Sequence, residues 1–216
     1  MTDEIPEVVI ERLPLYVRTL ELLVGAGQEV ISSRELGDLL GVTPAQIRKD
    51  LSYFGRFGKQ GRGYAIAALV GQLRSILGLD RRWRMALVGV GHLGRAILAY
   101  DGFARQGFDV ALAFDADPRV VGTVIDGVPV HDIAVLPDEL GRSPVDIGII
   151  AVPARAAQAV ADRLVECGIF SILNYAPATL RVPAPVHVRT VDPVLQLQSM
   201  TYYLKSAEAD PVPSGA

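Results

Sequence analysis

The sequence predicts an α/β protein in two parts, a small helical part followed by a doubly wound parallel sheet. Two observations carry this prediction. The apolar residues have helical spacing before about residue 80, and after residue 84 strand-like and helix-like segments alternate. In addition, the runs at 85–90 and 146–152 are almost continuously apolar, as is typical of parallel strands buried on both faces.

The composition of the 216-residue chain excludes several classes of protein. Half of the residues are apolar, which is enough for a real core, and the net charge of −3 excludes a uniformly basic coat for nucleic acid but not a local basic patch. A single cysteine, Cys167, rules out a disulfide scaffold and a cysteine-rich zinc module, and we expect no metal. No apolar run approaches the roughly 18 to 20 residues that cross a bilayer, so we expect a cytoplasmic protein without a membrane partner.

Four short helices are predicted in the first part, residues 1–80. The apolar residues of positions 9–24 fall on one face of a first helix, and Pro14 either kinks that helix or begins a new turn. Residues 67–77 have the same helical spacing and predict the fourth helix. The charged connector over 78–84 is the expected domain boundary.

The second and third helices have the signals of a helix-turn-helix. Ser32 and Glu35 have the spacing of a capping box, which predicts a helix that ends at the next glycine. Thr43 followed by Pro44 is typical of an N-cap with proline at the first helical position, and it predicts a third helix that reaches about Phe54.

Five strands alternate with helices in the second part, residues 81–192. The predicted strands lie at 85–90, 110–115, 146–152, 171–174 and 186–191. The predicted helices between them lie at 93–105, 133–140 and 154–167. This alternation predicts a doubly wound sheet of the Rossmann type. An amphipathic helix then begins at Pro193 and reaches Leu204, and a flexible tail over 207–216 follows.

The turn after the first strand matches G-x-G-x-x-G. Its residues are Gly89, Val90, Gly91, His92, Leu93 and Gly94. The first glycine permits the tight turn, the second removes a side chain where a pyrophosphate approaches, and the third lets helix and strand pack closely. The helix start adds N–H groups for the phosphates, so we interpret the turn as a dinucleotide site. The alternative is a tight turn with no ligand.

Further cofactor-binding candidates stand at the ends of the other strands. Asp115 ends the next strand, 21 residues after Gly94, where a carboxylate binds the adenosine ribose. Because no arginine directly follows it, NAD(H) is favoured over NADP(H). Four more residues follow later strands at the edge where open α/β sheets bind ligands, namely Val152, Pro153, Ala176 and Pro177. For these prolines an ordinary turn is the alternative.

The residues of a dehydrogenase active site are missing. None of the three histidines, His92, His131 and His187, is placed as a catalytic acid or base, and we assign no catalytic residue. The chain also has no second domain large enough to build a substrate pocket. The nucleotide is therefore expected to be a signal and not a substrate, and we predict that the protein is not an enzyme.

A basic patch surrounds the third helix and the segment after it. Residues 43–64 carry five basic side chains and one acidic one, and the four glycines of residues 55–63 predict a tight hairpin. Helices and hairpin together are the parts of a winged helix, which binds double-stranded DNA. The candidate DNA-binding residues are Gln46, Arg48, Lys49, Ser52 and Tyr53 on the helix, and Arg56, Lys59 and Arg62 on the hairpin. The alternative is a solvated basic face.

These motifs together resemble the Rex family, the NAD(H)-responsive transcriptional repressors of bacteria. The resemblance covers nearly the whole chain, from about Ile5 to Leu204. Its specific pieces are the string IRKDLSYFG at 47–55, GRGY at 61–64, the glycine loop at 89–94, FDADP at 114–118 and NYAP at 174–177. The string at 47–55 is far more specific than the glycine loop.

The resemblance implies a homodimer that binds a palindromic operator when NADH is scarce and leaves it when NADH binds. It implies that the segment 193–206 is a helix swapped onto the partner subunit, with an apolar stripe at Val194, Leu197, Met200, Tyr203 and Leu204. It further implies a switch in which Asp192 exchanges a contact with Arg18 for one with Tyr100 as the redox state changes. Pro193 departs from members that have an aromatic residue there, close to the nicotinamides.

Two rival interpretations remain open on the sequence. One is a small NAD-dependent dehydrogenase, which hydride turnover with a small alcohol or hydroxy acid would support. The other is a CoA- or nucleotide-binding module, because such domains share the glycine-rich turn and the sheet. The basic helical part has no use in a module of that kind.

Overall fold

The computed structural model describes residues 5–58 and 63–209, and the chain divides between Arg81 and Arg82 into two compact units. The described residues of the N-terminal unit form four helices and two short strands. The helices are α1 (Glu7–Gly25), α2 (Ser33–Leu40), α3 (Pro44–Ser52) and α4 (Ile66–Ile76), and the strands are β1 (Val30–Ile31) and β2 (Tyr64–Ala65). The division falls within the charged connector that the sequence marks as a boundary.

Local signals set the ends of α2 and α3. Ser32 accepts a hydrogen bond from the Glu35 N–H, and the Glu35 carboxylate accepts one from the Ser32 N–H, which completes the predicted capping box. Thr43 caps α3, in which Pro44 takes the first position. A Cβ on Gly37 would lie 2.4 Å from the Val42 carbonyl oxygen, so only glycine lets α2 pack this closely on the turn that leads into α3.

The N-terminal unit differs from the sequence prediction in two details. α1 runs through Pro14 as one helix, which excludes one of the two alternatives, a new helix that begins at this proline. α3 ends at Ser52 instead of about Phe54. The strand pairing joins β1, before α2, to β2, an antiparallel match of distant segments that local spacing does not signal. Of the predicted hairpin at 55–63, residues 59–62 lie outside the described part of the chain.

The C-terminal unit is built on a seven-stranded sheet. Its strands are β3 (Trp83–Val88), β4 (Phe108–Asp115), β5 (Val124–Ile125), β6 (Val128–Asp132), β7 (Ile147–Ile150), β8 (Ser171–Asn174) and β9 (His187–Thr190). The order is β5-β6-β4-β3-β7-β8-β9, and all neighbours are parallel except β5 and β6. Apart from the antiparallel edge strand β5, this is the doubly wound order in which the strand sequence reverses between β3 and β7.

Helices connect the strands of this sheet. They are α5 (His92–Leu98), α6 (Gly102–Arg105), a 3₁₀ turn (Ile133–Val135), α7 (Leu136–Arg142), α8 (Ala154–Glu166) and α9 (Pro193–Ala209). The helix predicted over 93–105 is two helices, because the chain turns at Tyr100 and Asp101. β5 and β6 were not predicted, because they are short, with two and five residues, and only the turn residues Asp126 and Gly127 separate them. α9 continues to Ala209, so the tail predicted from residue 207 begins too early.

Burial follows the predicted layering. β3 is buried from Met85 to Val88 and β7 from Gly148 to Ile150, and Gly148 leaves room for the side chain of Leu164 on α8. A separate core of residues from all four helices holds the N-terminal unit. Within the described ranges, no helix is both long enough and apolar enough to cross a membrane.

Candidate cofactor cleft and nucleic-acid surface

A cleft of about 480 Å³ opens at the carboxyl ends of β3, β4 and β7, the place where the strand order reverses. Its lining residues are Val88, Gly89, Val90, Gly91, Asp115, Ala116, Asp117, Val120, Ile133, Ala151, Val152, Pro153, Ala156, Ala159, Val160 and Arg163. The lining is mostly apolar and has an acidic edge. Such a cleft suits a ligand with an aromatic ring and hydroxyl groups.

The three glycines of the turn have three different structural roles. Gly89 has a φ of +99°, and a Cβ there would lie 2.5 Å from the Ala151 carbonyl oxygen. A Cβ on Gly94 would lie 2.0 Å from the Gly89 carbonyl oxygen, so this glycine permits the contact of helix and turn. A Cβ on Gly91 would meet nothing within 4 Å, and this glycine leaves the cleft open. These roles match the spacing rule for a pyrophosphate site.

Asp115 joins the two loops that form the acidic edge. Its Oδ2 accepts a hydrogen bond of 2.6 Å from the Val90 N–H, and its Oδ1 accepts one of 2.9 Å from the Asp117 N–H. A carboxylate has about four acceptor positions, so further hydroxyl groups can still donate to this one. The residue is only partly buried and faces the cleft.

Asp117 adds a second carboxylate to the same edge. Its hydrogen bonds with the side chain and N–H of Arg119 lower the pKa of Asp117 to about 2. The acid is therefore ionised at every physiological pH. Arg119 neutralises Asp117, so Asp115 is the carboxylate that disfavours an additional phosphate on the ribose.

The predicted cofactor residues divide into those that line the cleft and those beside it. Val152 and Pro153 line it, and His92, Leu93 and Gly94 continue from its lining residue Gly91 into the first turn of α5. Ala176 and Pro177 follow β8 and are not among the lining residues. Ala176 is buried and its N–H donates to the side chain of Asn174, so NYAP builds a rigid loop after β8 on the same sheet edge. One wall of the cleft was not predicted, the one formed by Ala156, Ala159, Val160 and Arg163. Their helical spacing directly after β7 is the signal that could have found it.

The N-terminal unit carries a second groove, of about 860 Å³, between the start of α2, the end of α3 and the segment after it. Its lining residues are Ser32, Ser33, Arg48, Leu51, Ser52, Gly55, Arg56, Phe57, Gly58, Gly63 and Tyr64. Arg48 donates to the Ser33 hydroxyl at 2.9 Å, which holds a guanidinium at the N-terminal end of α2. Arg48, Lys49, Ser52 and Arg56 are all exposed, so this surface is basic.

The remaining DNA-binding candidates differ in exposure and in their hydrogen-bond partners. Ser52 donates its hydroxyl to the Lys49 carbonyl oxygen, and Tyr53 is half-buried just after the end of α3. Gln46 donates its amide to a buried carboxylate, that of Asp50. Lys59 and Arg62 lie outside the described residues.

The carboxylate of Asp50 is fully buried and has four hydrogen bonds. Arg12 of α1 makes two of them, at 2.6 and 2.7 Å, and the Tyr16 hydroxyl makes a third at 2.5 Å. The Gln46 amide makes the fourth at 2.6 Å. Although burial opposes ionisation, the donors from Arg12, Tyr16 and Gln46 lower the pKa of Asp50. Burial and the contact with Asp50 raise the pKa of Tyr16.

The three switch candidates are accessible in the structure. Arg18 is exposed on α1, and Tyr100 is 62% exposed, with its ring edge-on to Phe103 at 5.3 Å. Asp192 accepts the Val194 N–H at 2.9 Å at the start of α9. The predicted apolar stripe of α9 is exposed along its whole length. Leu195 and Tyr202, outside that stripe, are exposed as well, so the apolar surface is broader than the sequence analysis expected.

Comparison with known proteins places these two units in one family. A family described as putative DNA-binding protein N-terminus matches residues 4–52, and one described as CoA binding domain matches residues 80–178. A redox-sensing transcriptional repressor Rex from Roseiflexus sp. (strain RS-1) is 55% identical over 202 residues, which are 94% of this chain and 92% of the relative. The chain belongs to the Rex family. Another Rex repressor, from Chloroflexus aurantiacus, is 51% identical over 94% of this chain and 96% of its own length.

Solved Rex-family structures have the same fold. RSP in complex with β-NAD⁺ and operator DNA is 40% identical, with a TM-score of 0.89 over 97% of this chain and 99% of RSP. RSP in complex with β-NADH gives a TM-score of 0.86 over 94% of this chain and 96% of RSP. The Rex relatives are transcriptional repressors, so this chain is a redox-sensing regulator and not an enzyme, as the sequence predicts.

Proposed function

We propose that this Rex-family chain is a homodimeric repressor that binds a palindromic operator when NADH is scarce and leaves it when NADH binds. NAD(H) occupies the cleft at the carboxyl ends of β3, β4 and β7. The exposed basic surface of α3 and the groove beside it bind the DNA. We place its action in the cytoplasm.

One observation carries the proposal: a cleft with the three glycine roles of a dinucleotide site and a basic helix-turn-helix surface occur in the same chain. The open space at Gly91 and the acidic edge at Asp115 fit the pyrophosphate and the ribose. RSP, which has the same fold, forms complexes with NAD⁺ and operator DNA and with NADH.

The regulation follows from linkage. If NADH prefers a form of the protein that does not bind the operator, then NADH lowers operator affinity by the same factor by which the operator lowers NADH affinity. The nicotinamide ring supplies a charge that differs between NAD⁺ and NADH. The residues proposed to follow that difference are Arg18, Tyr100 and Asp192.

The exposed apolar side chains of α9 support the homodimer. Val194, Leu197, Met200 and Tyr203 are each more than half exposed. A contiguous apolar surface of this kind is typical of an interaction site. We propose that α9 packs on a second copy of the chain.

The test is binding of the full chain to a palindromic duplex selected from a random library, at fixed salt, with NADH, NAD⁺ and CoA titrated separately. We expect NADH to release the duplex and NAD⁺ to leave it bound. Light scattering of the same sample is expected to give a dimer. Duplex binding that NADH does not change would contradict the proposed regulation, and release by CoA alone would favour the CoA-binding module.

A further inference from the structure

The hydrogen bonds around Asp50 have a consequence for DNA sequence recognition, which rests on the proposed function that α3 binds the operator. The second helix of a helix-turn-helix lies in the major groove, and we take α3 to lie there. An ionised carboxylate has about four acceptor positions, and four donors already reach this one. Asp50 is fully buried. It therefore contacts no DNA itself and acts only through the side chains that it holds.

Gln46 is the member of this network that lies on α3 and also reaches the surface. It is the third residue of α3, its N–H donates to the capping Thr43 hydroxyl, and the residue is half-buried. In a helix-turn-helix, residues at the start of the second helix contact base edges. Gln46 is thus held by a buried group at one end of its amide and is open at the other.

The chemistry of Asp50 decides which way the Gln46 amide points. A carboxylate without a proton can only accept hydrogen bonds, so the amide nitrogen must face it and the amide oxygen cannot. Arg12 and Tyr16 fix the carboxylate from α1, so it cannot turn to follow the amide. The groups left for a ligand are the oxygen Oε1, which accepts, and the second N–H of the amide, which donates.

We propose that Gln46 reads an adenine in each operator half-site, with Oε1 accepting from the N6 amino group and the free N–H donating to N7. Adenine alone presents a donor and an acceptor side by side in this arrangement on its major-groove edge. Guanine offers two acceptors there, and thymine offers an acceptor and a methyl group. Asp50, Arg12 and Tyr16 are positioning residues, because they set the polarity of the amide and touch no base.

The experiment is a selection of palindromic duplexes with randomised half-sites on the full chain without nucleotide, followed by sequencing. We expect the natural chain to prefer adenine at one position of each half-site, and Gln46→Leu to lose that preference while the others remain. Gln72→Leu, the same change at an exposed position of α4, is the matched control and is expected to change nothing.

A base analogue tests the polarity directly. Replacing the preferred adenine by purine, which lacks the N6 amino group, is expected to lower the affinity of the natural chain about tenfold and to leave that of Gln46→Leu unchanged. Asp50→Asn is the test of positioning. The new carboxamide can donate to Oε1 of Gln46 as well as accept from its N–H, so the Gln46 amide can point either way. The preference of the Asp50→Asn variant for adenine is expected to weaken, whereas the salt dependence of its binding to DNA is expected to stay the same.

The outcomes separate the two proposals. A natural chain that selects no sequence would overturn both the DNA-binding function and the role of Gln46. A clear operator whose preferences are the same in Gln46→Leu would overturn only the role of Gln46. A Gln46-dependent preference for guanine or thymine would show that the amide points the other way. Gln46→Leu leaves the buried carboxylate and its other partners in place, so the test does not depend on Asp50→Asn folding.

Discussion

In each unit an aspartate accepts several hydrogen bonds and connects separate segments of the chain. The two aspartates, Asp50 and Asp115, differ in burial and in the kind of donor that they bind. Asp50 is fully buried and receives side-chain donors from α1 and α3, residues that are up to 38 positions away in the sequence. Asp115 is partly exposed and receives backbone N–H groups from its own loop and the turn after β3. The buried carboxylate holds two helices together, whereas the open one shapes a loop and keeps acceptor positions for a ligand.

This difference predicts which property of the protein changes when each aspartate is substituted. A buried charge whose partner is removed leaves an uncompensated charge, which is a cost in folding. When a partly exposed carboxylate is removed, water can take its place as the hydrogen-bond acceptor. Its loss therefore lowers ligand affinity more than it lowers the stability of the fold. The N-terminal network should therefore control stability and the C-terminal loop should control affinity.

The largest effect is expected from Asp50→Ala, which leaves Arg12 without its partner in a mostly buried position. Breaking such a pair costs about 3–5 kcal/mol, so we expect the N-terminal unit to unfold at much lower urea. Hydrogen exchange of peptides from α1 and α3 measures this locally. Asp101→Ala, which removes an exposed pair with Arg105, is the control and is expected to cost at most about 1 kcal/mol.

Acidification should reproduce part of the same loss. Because the pKa of Asp50 is lowered in the folded state, its contribution is complete above the ordinary pKa of an aspartate and is lost as pH falls below it. Protection of α1 and α3 is therefore expected to fall below about pH 4 in the natural chain. A pH profile that is the same in Asp50→Asn would contradict the assignment of this loss to Asp50.

The two glycines Gly94 and Gly91 sharpen the contrast between folding and binding inside the C-terminal unit. Gly94→Ala places a Cβ against a backbone oxygen that cannot move freely, and we expect a loss of about 1–3 kcal/mol in unfolding free energy. Gly91→Ala adds a methyl group in open cleft space. The unfolding free energy is therefore expected to stay the same, and NADH affinity is expected to fall because the methyl group occupies space needed by the ligand. Urea unfolding and NADH fluorescence separate these two results. If both variants lost unfolding free energy and NADH affinity to the same extent, this separation of folding from binding would be contradicted.

Asp115→Asn tests the open carboxylate. The amide oxygen can accept one of the two backbone N–H groups, so the fold should survive with a change of about 1 kcal/mol. The ribose loses a charged acceptor, and NADH affinity is expected to fall about tenfold in a calorimetric titration. A variant that binds NADH as the natural chain does would show that the ribose lies elsewhere in the cleft.

The smallest effect is expected from Ser32→Ala, which removes one half of the capping box on α2. Loss of an N-cap of this kind costs about 1 kcal/mol, with local exchange of α2 increased. Thr123→Ala, at an exposed hydroxyl that donates to the Val120 carbonyl oxygen, is a matched control in the other unit. An effect as large as that of Asp50→Ala would mean that α2 and the buried network are not independent.

Local signals were sufficient for most of the architecture. The capping box at Ser32, the proline at the start of α3 and the glycine turn after β3 act between neighbours in the sequence, so they could be recognised without tertiary structure. The same holds for Asp115, because its position at the end of the second strand follows from counting along the chain.

Other features depended on which segments meet in space. The wall of the cleft on α8 exists because β7 lies beside β3, and the pairing of β1 with β2 joins segments more than thirty residues apart. The sequence predicted Gln46 as a DNA-binding residue, and its spacing of four residues from Asp50 on one helix is compatible with their hydrogen bond. The sequence gave no sign of the other donors to Asp50, because Arg12 and Tyr16 lie on another helix. Sequence spacing by itself determined the elements and the glycine site, because short-range sterics and hydrogen bonds set them. The tertiary structure alone decided the partners of the buried charge, because a carboxylate inside the core takes its donors from whatever folding brings beside it.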